Sequence, residues 1–439
     1  MQRSFLSLLA VVFWMGSVGR AQPAEWVERF PREEIAPRFS QTASGDLTLA
    51  AKVSGTNGHF LKVFPIEGGK SYAFSAERLA QGIEHERRSC VVRIEWYGPG
   101  GRNVQSPHPV NPAYFGKATD AARPDFPRDG ETLEDGAVRV RDTYRAPAEA
   151  TEAHVQLHLR WTEAGRVTWR KVSFAECEPL PPRLVTLAAV HHDLSGVGEN
   201  TVANNRTALA PLVEKAADQG ADLIVLGEFI TCKNVTSDYA SVAELIPGPT
   251  SDFFGDLTQR LDCHLVFTIP ERAGHEIFNT SVLMGPEGEL VGTYRKVTLP
   301  REEIQKGLSP GSDYPVFDTR FGKVGMMVCY DVFFPEVARE LSQRGAEVIA
   351  MPIWGGNPRL AAARCAENGV FLVTSTYTHH DSNWMKTAIW DREGNRITEA
   401  KEWGSVVMAE VDLNEPTHWA HLGDFRSRIP REAPIRRGE

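Results

Sequence analysis

Leu184-Val-Thr-Leu-Ala-Ala-Val190 and Asp222-Leu-Ile-Val-Leu226 are two apolar runs on either side of a stretch of helical period, Asn204 to Gln219. The runs are short and bounded by polar turns, which suits buried strands. The stretch between them carries Pro211 as a candidate kink and Gly220 as a candidate C-cap. Strand, helix and strand in succession predict an α/β layer architecture, whose sites form at the carboxyl ends of strands.

Towards the N-terminus the rhythm changes at Pro179-Leu-Pro-Pro182, a stiff extended boundary. Residues 24–178 read as all-β. Phe60 to Phe64, Ser71 to Ser75, Val91 to Trp96 and His154 to Leu159 are rich in β-branched and aromatic residues, and turn signals such as Gly98-Pro-Gly-Gly101 lie between them. A two-sheet sandwich is expected, and Gln105 to Asp129, rich in Pro, Asp and Arg, reads as a long loop. Residues 183–425 form the α/β unit on this reading, and 426–439, basic and Pro-containing, a surface arm.

Residues 1–21 read as a cleaved signal peptide, with Arg3 before an apolar stretch from Phe5 to Met15 and small residues at Gly19 and Ala21. A secreted or periplasmic protein is expected. Six cysteines in 439 residues are too few for a disulfide scaffold, though Cys90 and Cys177 are candidates for one bridge. A net charge of −9 argues against a nucleic-acid partner.

Three residues stand at the ends of apolar strands: Glu228, Lys296 and Cys329. Each alone has an ordinary explanation, such as a cap, a solvated charge or a small buried hydrophobe. Together they supply a proton carrier, a cation and a nucleophile. A strand that delivers Cys329 into a turn and then a helix would expose its sulfur and aim the next backbone N–H at an oxyanion.

Four blocks resemble the nitrilase (carbon–nitrogen hydrolase) superfamily, in order. They are Gly220 to Glu228; Asn279 with Gly285 to Lys296; Val324-Gly-Met-Met-Val-Cys-Tyr-Asp-Val-Phe-Phe-Pro-Glu336; and Ala363 to Asn368. The resemblance covers residues 184 to about 425. It implies a four-layer αββα sandwich and a Glu228–Lys296–Cys329 triad that cleaves a linear, non-peptide amide through a thioester. It also implies positioning by Glu303, with Glu302 as a rival, and a homo-oligomer. Tyr330 would supply an oxyanion N–H, and Trp354 would line the cleft. Tyr330-Asp331 after the nucleophile tilts the reading to amides over nitriles. Two departures stand out: Gly227 where the family commonly has Pro, and Thr298 where it often has His.

Residues 24–178 resemble the jelly-roll-like carbohydrate-binding modules found beside secreted hydrolases, chiefly at Trp161 to Trp169. Packing or spacing is the commoner use of such a module, and glycan contact the rarer one. No cofactor or metal is implied. His191-His192 and His379-His380 read as strand neighbours facing opposite ways, with His379 and Asp381 candidates for the cleft wall. Asn205-Arg-Thr207 and Asn234-Val-Thr236 are glycosylation sequons, meaningful only in a eukaryotic secretory route. Nitrile hydrolysis, acyl transfer, or a mainly binding protein with an inactive hydrolase unit are the other readings open at this level.

Overall fold

The computed structural model describes residues 25–111, 121–235 and 238–435; residues 1–21, read above as a signal peptide, lie outside them. The C-terminal half holds two six-stranded sheets. In one, the order is Leu290–Arg295, Glu276–Met284, His264–Ala273, Leu223–Val225, Leu184–His191 and Ser405–Asp412. In the other it is Val316–Asp318, Lys323–Met326, Val348–Pro352, Phe371–Ser375, Ala388–Trp390 and Arg396–Glu399. Central neighbours run parallel in both sheets.

Side-chain alternation along the strands creates the layers. Val185, Leu187, Ala189, Leu223 and Val225 face a core shared with Met326, Val348 and Leu372 of the second sheet. Their neighbours Ala188, Val190, Ile224 and Leu226 face outward, against Leu209, Val213 and Phe254 of the helices Val202–Asp218 and Pro249–Leu261. Helices Pro335–Gln343 and Pro358–Asn368 pack on one another beside the second sheet. Helix Val202–Asp218 runs on through Pro211, and Gly220 follows it at φ +86°, the left-handed geometry that a chain leaving a helix needs.

The N-terminal half consists of a five-stranded and a six-stranded antiparallel sheet. Phe60, Ile94 and Val155 of the first and Leu49, Phe74 and Trp169 of the second meet in one core. All six cysteines are free thiols, so Cys90 and Cys177 are not bridged. Asn205 is fully buried, its amide donating to the carbonyls of Thr231 and Lys233, so the first sequon has no accessible acceptor. Thr236 of the second lies outside the described residues.

Two expectations are corrected at the seam between the halves. Gln105 to Asp129 is not loop throughout: Val110–Asn111 pairs in parallel with His418–Trp419 of the C-terminal half. A two-residue strand whose partner is some 300 residues away leaves no local periodicity. Residues 426–439 are not a surface arm as a whole, because Phe425–Glu432 is a helix capped by Asp424. Arg431 is buried, donates to the carbonyls of Ser427 and Pro127 and lies over the Phe126 ring. Basic side chains suggested solvent, yet a guanidinium can bury itself by capping carbonyls and stacking on an aromatic face.

Asp125 belongs to the same seam. It accepts from Trp96 Nε1 at 2.7 Å, and burial, with Asp424 and Asp142 adding like charge, raises its carboxyl to about 7. A raised pKa means that the folded state holds the proton more tightly. The group's stabilisation is therefore complete below about pH 4 and lost as pH rises through about 7. Asp125→Asn should match wild type near pH 4 and exceed it by about 1–2 kcal/mol near pH 8, after allowing for screening at a half-buried site. Denaturant midpoints across pH test this, and a constant difference would refute it.

Candidate active site

Glu228 lies just past the strand Leu223–Val225, where the chain turns sharply. Phe229 adopts φ +49°, and its N–H donates to Thr268 Oγ1 at 2.6 Å. Gly227 suits this turn for a steric reason, since a Cβ there would lie 3.0 Å from the Tyr377 ring. Lys296 follows the strand Leu290–Arg295 and is tied to Asn279 O through its own N–H at 2.9 Å. Cys329 opens the 3₁₀ turn Cys329–Phe333 in a left-handed conformation, φ +44°. A non-glycine residue rarely takes this conformation unless its surroundings hold it there.

Asp331 holds that turn. One carboxylate oxygen accepts from Val328 N–H at 2.9 Å and Tyr294 Oη at 2.7 Å; the other accepts from Thr298 N–H at 3.0 Å and Thr298 Oγ1 at 2.5 Å. Thr298, which departs from the usual histidine, thus supplies two of the four donors. Burial pushes the Asp331 carboxyl up despite the nearby Lys296 charge and these donors.

The structure brings the three strand-end residues together. Lys296 Nζ lies 2.9 Å from Glu228 Oε1 and 2.7 Å from Glu303 Oε1, and is fully buried. Asn279 Nδ2 donates to the same two oxygens at 2.8 and 3.3 Å. The backbone N–H of Trp354 donates to Glu228 Oε2 at 3.1 Å. The Cys329 thiol reaches Gly355 O at 3.6 Å, with the Glu228 carboxylate close enough for its charge to act on the thiol. Glu303 is therefore the carboxylate on Lys296, while its rival Glu302 is exposed and pairs with Arg301. Tyr330 follows Cys329, and its N–H is among the first-turn donors that the turn itself leaves unpaired.

Electrostatics follow from burial and proximity. Burial, then the Glu228 charge, pushes the Cys329 thiol up, with Lys296 opposing only in part. Burial alone would lower Lys296, but the charges of Glu228, Cys329 and Glu303 outweigh it and hold the ammonium up. Glu303 is raised to about 7 by burial and by Glu228. The resting site thus holds a neutral thiol with a permanent cation nearby.

These residues open onto a cavity of about 1030 Å³ with Glu302, Tyr330, Trp354, Tyr377 and Trp384 in its wall. His379 and Asp381 do not line it. They sit with His380 in a turn rather than on a strand, the two imidazoles stacked at 4.1 Å instead of facing opposite ways. The donor atoms of this trio lie within 4.8 Å of one another, a set that could hold a cation. However, the Lys386 ammonium bonds the carbonyls of His380 and Ser382 at the same turn, which opposes one. Sequence reasoning missed the roles of Asn279, Asp331 and Trp384. Asn279 and Asp331 stood inside the matched blocks and were legible as buried polar residues beside reactive ones, whereas Trp384 carried no such signal.

Residues 186–421 match the carbon-nitrogen hydrolase family. Omega-amidase NIT2 of Mus musculus is 28% identical over 247 residues, 52% of this chain and 87% of that protein. The nitrilase of Pyrococcus abyssi is 37% identical over 214 residues, 46% of this chain and 81% of the other. The solved structure of Saccharomyces cerevisiae Nit3 is 28% identical, with a TM-score of 0.47, over 52% of this chain and 90% of that one. With more than half its length matched, the chain belongs to the carbon–nitrogen hydrolase family of the nitrilase superfamily and is an enzyme acting on non-peptide amide bonds.

Proposed function

We propose that this protein hydrolyses a linear amide through a thioester on Cys329, with Glu228 carrying the proton and Lys296 stabilising the charge. The observation that carries this reading is a single carboxylate, Glu228, bonded to the Lys296 ammonium at 2.9 Å and close enough to Cys329 for its charge to act on the thiol. Because the thiol rests protonated, its proton passes to Glu228 as sulfur attacks the carbonyl carbon. The C–S bond forms, and the carbonyl electron pair moves onto oxygen. The oxyanion lies against the Lys296 ammonium and the Tyr330 N–H. Glu228 then protonates the nitrogen, the C–N bond breaks and ammonia or an amine departs. Water gives a proton back to Glu228 and attacks the thioester. The acid leaves, and the thiol recovers its proton.

Glu303 holds the Lys296 ammonium at 2.7 Å, as a positioning residue. Relatives named as omega-amidases, together with Tyr330-Asp331 after the nucleophile, support amides over nitriles. Export and self-association complete the reading. For the N-terminal half, the buried Trp169 fits a packing role, while Trp161 stays half exposed with the guanidinium groups of Arg160 and Arg88 4.1 and 5.3 Å from its ring.

Rapid quenching during turnover of a panel of primary amides, followed by peptide mass mapping, tests the central step. An acyl adduct on Cys329 is expected, with ammonia released in step with it. Turnover with the adduct on another residue, or with none, would remove the mechanism. Addition of hydroxylamine separates hydrolysis from acyl transfer by the yield of hydroxamate.

A further inference from the structure

Two large apolar rings stand half exposed in the wall of the cleft, Trp354 and Trp384 at 50% and 48%. Rings of this size left open to water in a concave site mark a surface made for a ligand. The two meet edge to face, with centroids 5.3 Å apart, so each fixes the other. Phe333 at 44% exposure, Tyr239 and Tyr377 continue the same wall. Charged groups on it, other than Glu228 and Glu303 beside the lysine, are the exposed Glu302 and Arg359.

The position of Trp384 relative to the sulfur makes this wall specific. A Cβ on Gly355 would lie 2.0 Å from Cε3 and 2.4 Å from Cζ3 of the Trp384 indole. The ring therefore rests directly on that backbone, and any side chain at Gly355 would displace it. Gly355 is also the residue whose carbonyl meets the Cys329 thiol. The indole thus rests on the residue whose carbonyl meets the nucleophile, in the same cleft that receives the acyl group of the thioester. The leaving nitrogen departs on the Glu228 side.

We infer that the cleft is an acyl subsite for a planar apolar group, so that the substrate is an amide of an arylalkanoic or similarly flat apolar acid rather than of a short polar one. This rests on the hydrolytic reading above. Phenylacetamide and acetamide share ammonia as leaving group, so their comparison isolates the acyl side, and acetanilide moves the ring to the amine. The wild-type enzyme should show a kcat/KM at least 100-fold higher for phenylacetamide than for acetamide, and acetanilide should be the poorer of the two aromatic amides. Trp384→Ala should lower the phenylacetamide-to-acetamide ratio at least tenfold, mainly through KM, and Trp384→Phe should restore most of it.

Acetamide turned over as well as phenylacetamide overturns the subsite, as does an equal loss on both substrates in Trp384→Ala. So does an absence of phenylacetamide hydrolysis, whatever acetamide does. Equal rates in wild type and Cys329→Ala would instead overturn the thioester reading, so the two failures are distinguishable.

Discussion

Cys329→Ala is expected to lower kcat by at least ~10⁴-fold on any amide the enzyme accepts, while leaving the protein folded. Removing a nucleophile from a set of residues that act as a unit leaves only binding and oxyanion stabilisation, and losses of this order follow. Folding should survive because alanine keeps the Cβ already present at φ +44°, so the backbone strain is unchanged. The four hydrogen bonds that Asp331 accepts continue to hold the turn. Steady-state ammonia release and a thermal unfolding profile measured on the same preparation separate the two effects. A loss of activity accompanied by collapse of the fold would make Cys329 a packing residue, and activity within tenfold of wild type would remove it from the chemistry.

Lys296→Met should damage both stability and turnover. The ammonium is fully buried between Glu228 and Glu303, and methionine keeps the length but not the charge. Breaking a buried ion pair by deleting one partner costs about 3–5 kcal/mol, because the remaining charge has nowhere to go. The sign of the pH dependence follows from Glu303. Its carboxyl is already raised to about 7 in the folded protein, so its stabilisation is complete below the unfolded value and lost as pH rises through about 7. Without the ammonium the folded value climbs further. The deficit of Lys296→Met should therefore be small near pH 5 and largest near pH 8.5, and Glu303→Gln in the same background should recover part of it. Turnover should fall by about 10²–10³-fold even where the variant is folded, the usual cost of one oxyanion partner. Denaturant midpoints at the two pH values and kcat near pH 5 measure these. A deficit that grows towards low pH would contradict the placement of the cation between two carboxylates.

Both substitutions act on residues marked by their place after apolar strands, and there the residue pattern was informative. Leu184 to Val190 and Asp222 to Leu226 read as buried strands because a short, mostly apolar run bounded by turns has few other uses, and they are the strands Leu184–His191 and Leu223–Val225. Nothing so local separates Glu302 from Glu303. The choice depends on which face of the short helix Arg301–Gln305 turns towards Lys296, and one residue of rotation decides it. The misread tail shows the same limit, since Arg431 is buried only because Phe126 and the Pro127 carbonyl are brought to it from the other half of the molecule.

Residue order alone carried the α/β character, the β-rich leading half and the identities of a carboxylate, an ammonium and a thiol at strand ends. Periodicity and turn chemistry act over a few neighbours and are written in the chain. Folding contributed what depends on distance. It set Lys296 against Glu228 across 68 positions, Asp331 against Thr298 across 33, and the Trp384 indole on the bare backbone of Gly355. Those contacts form where loops at strand ends of one sheet, or for Asp331 and Thr298 of both sheets, converge, and no stretch short enough to show a period contains both partners.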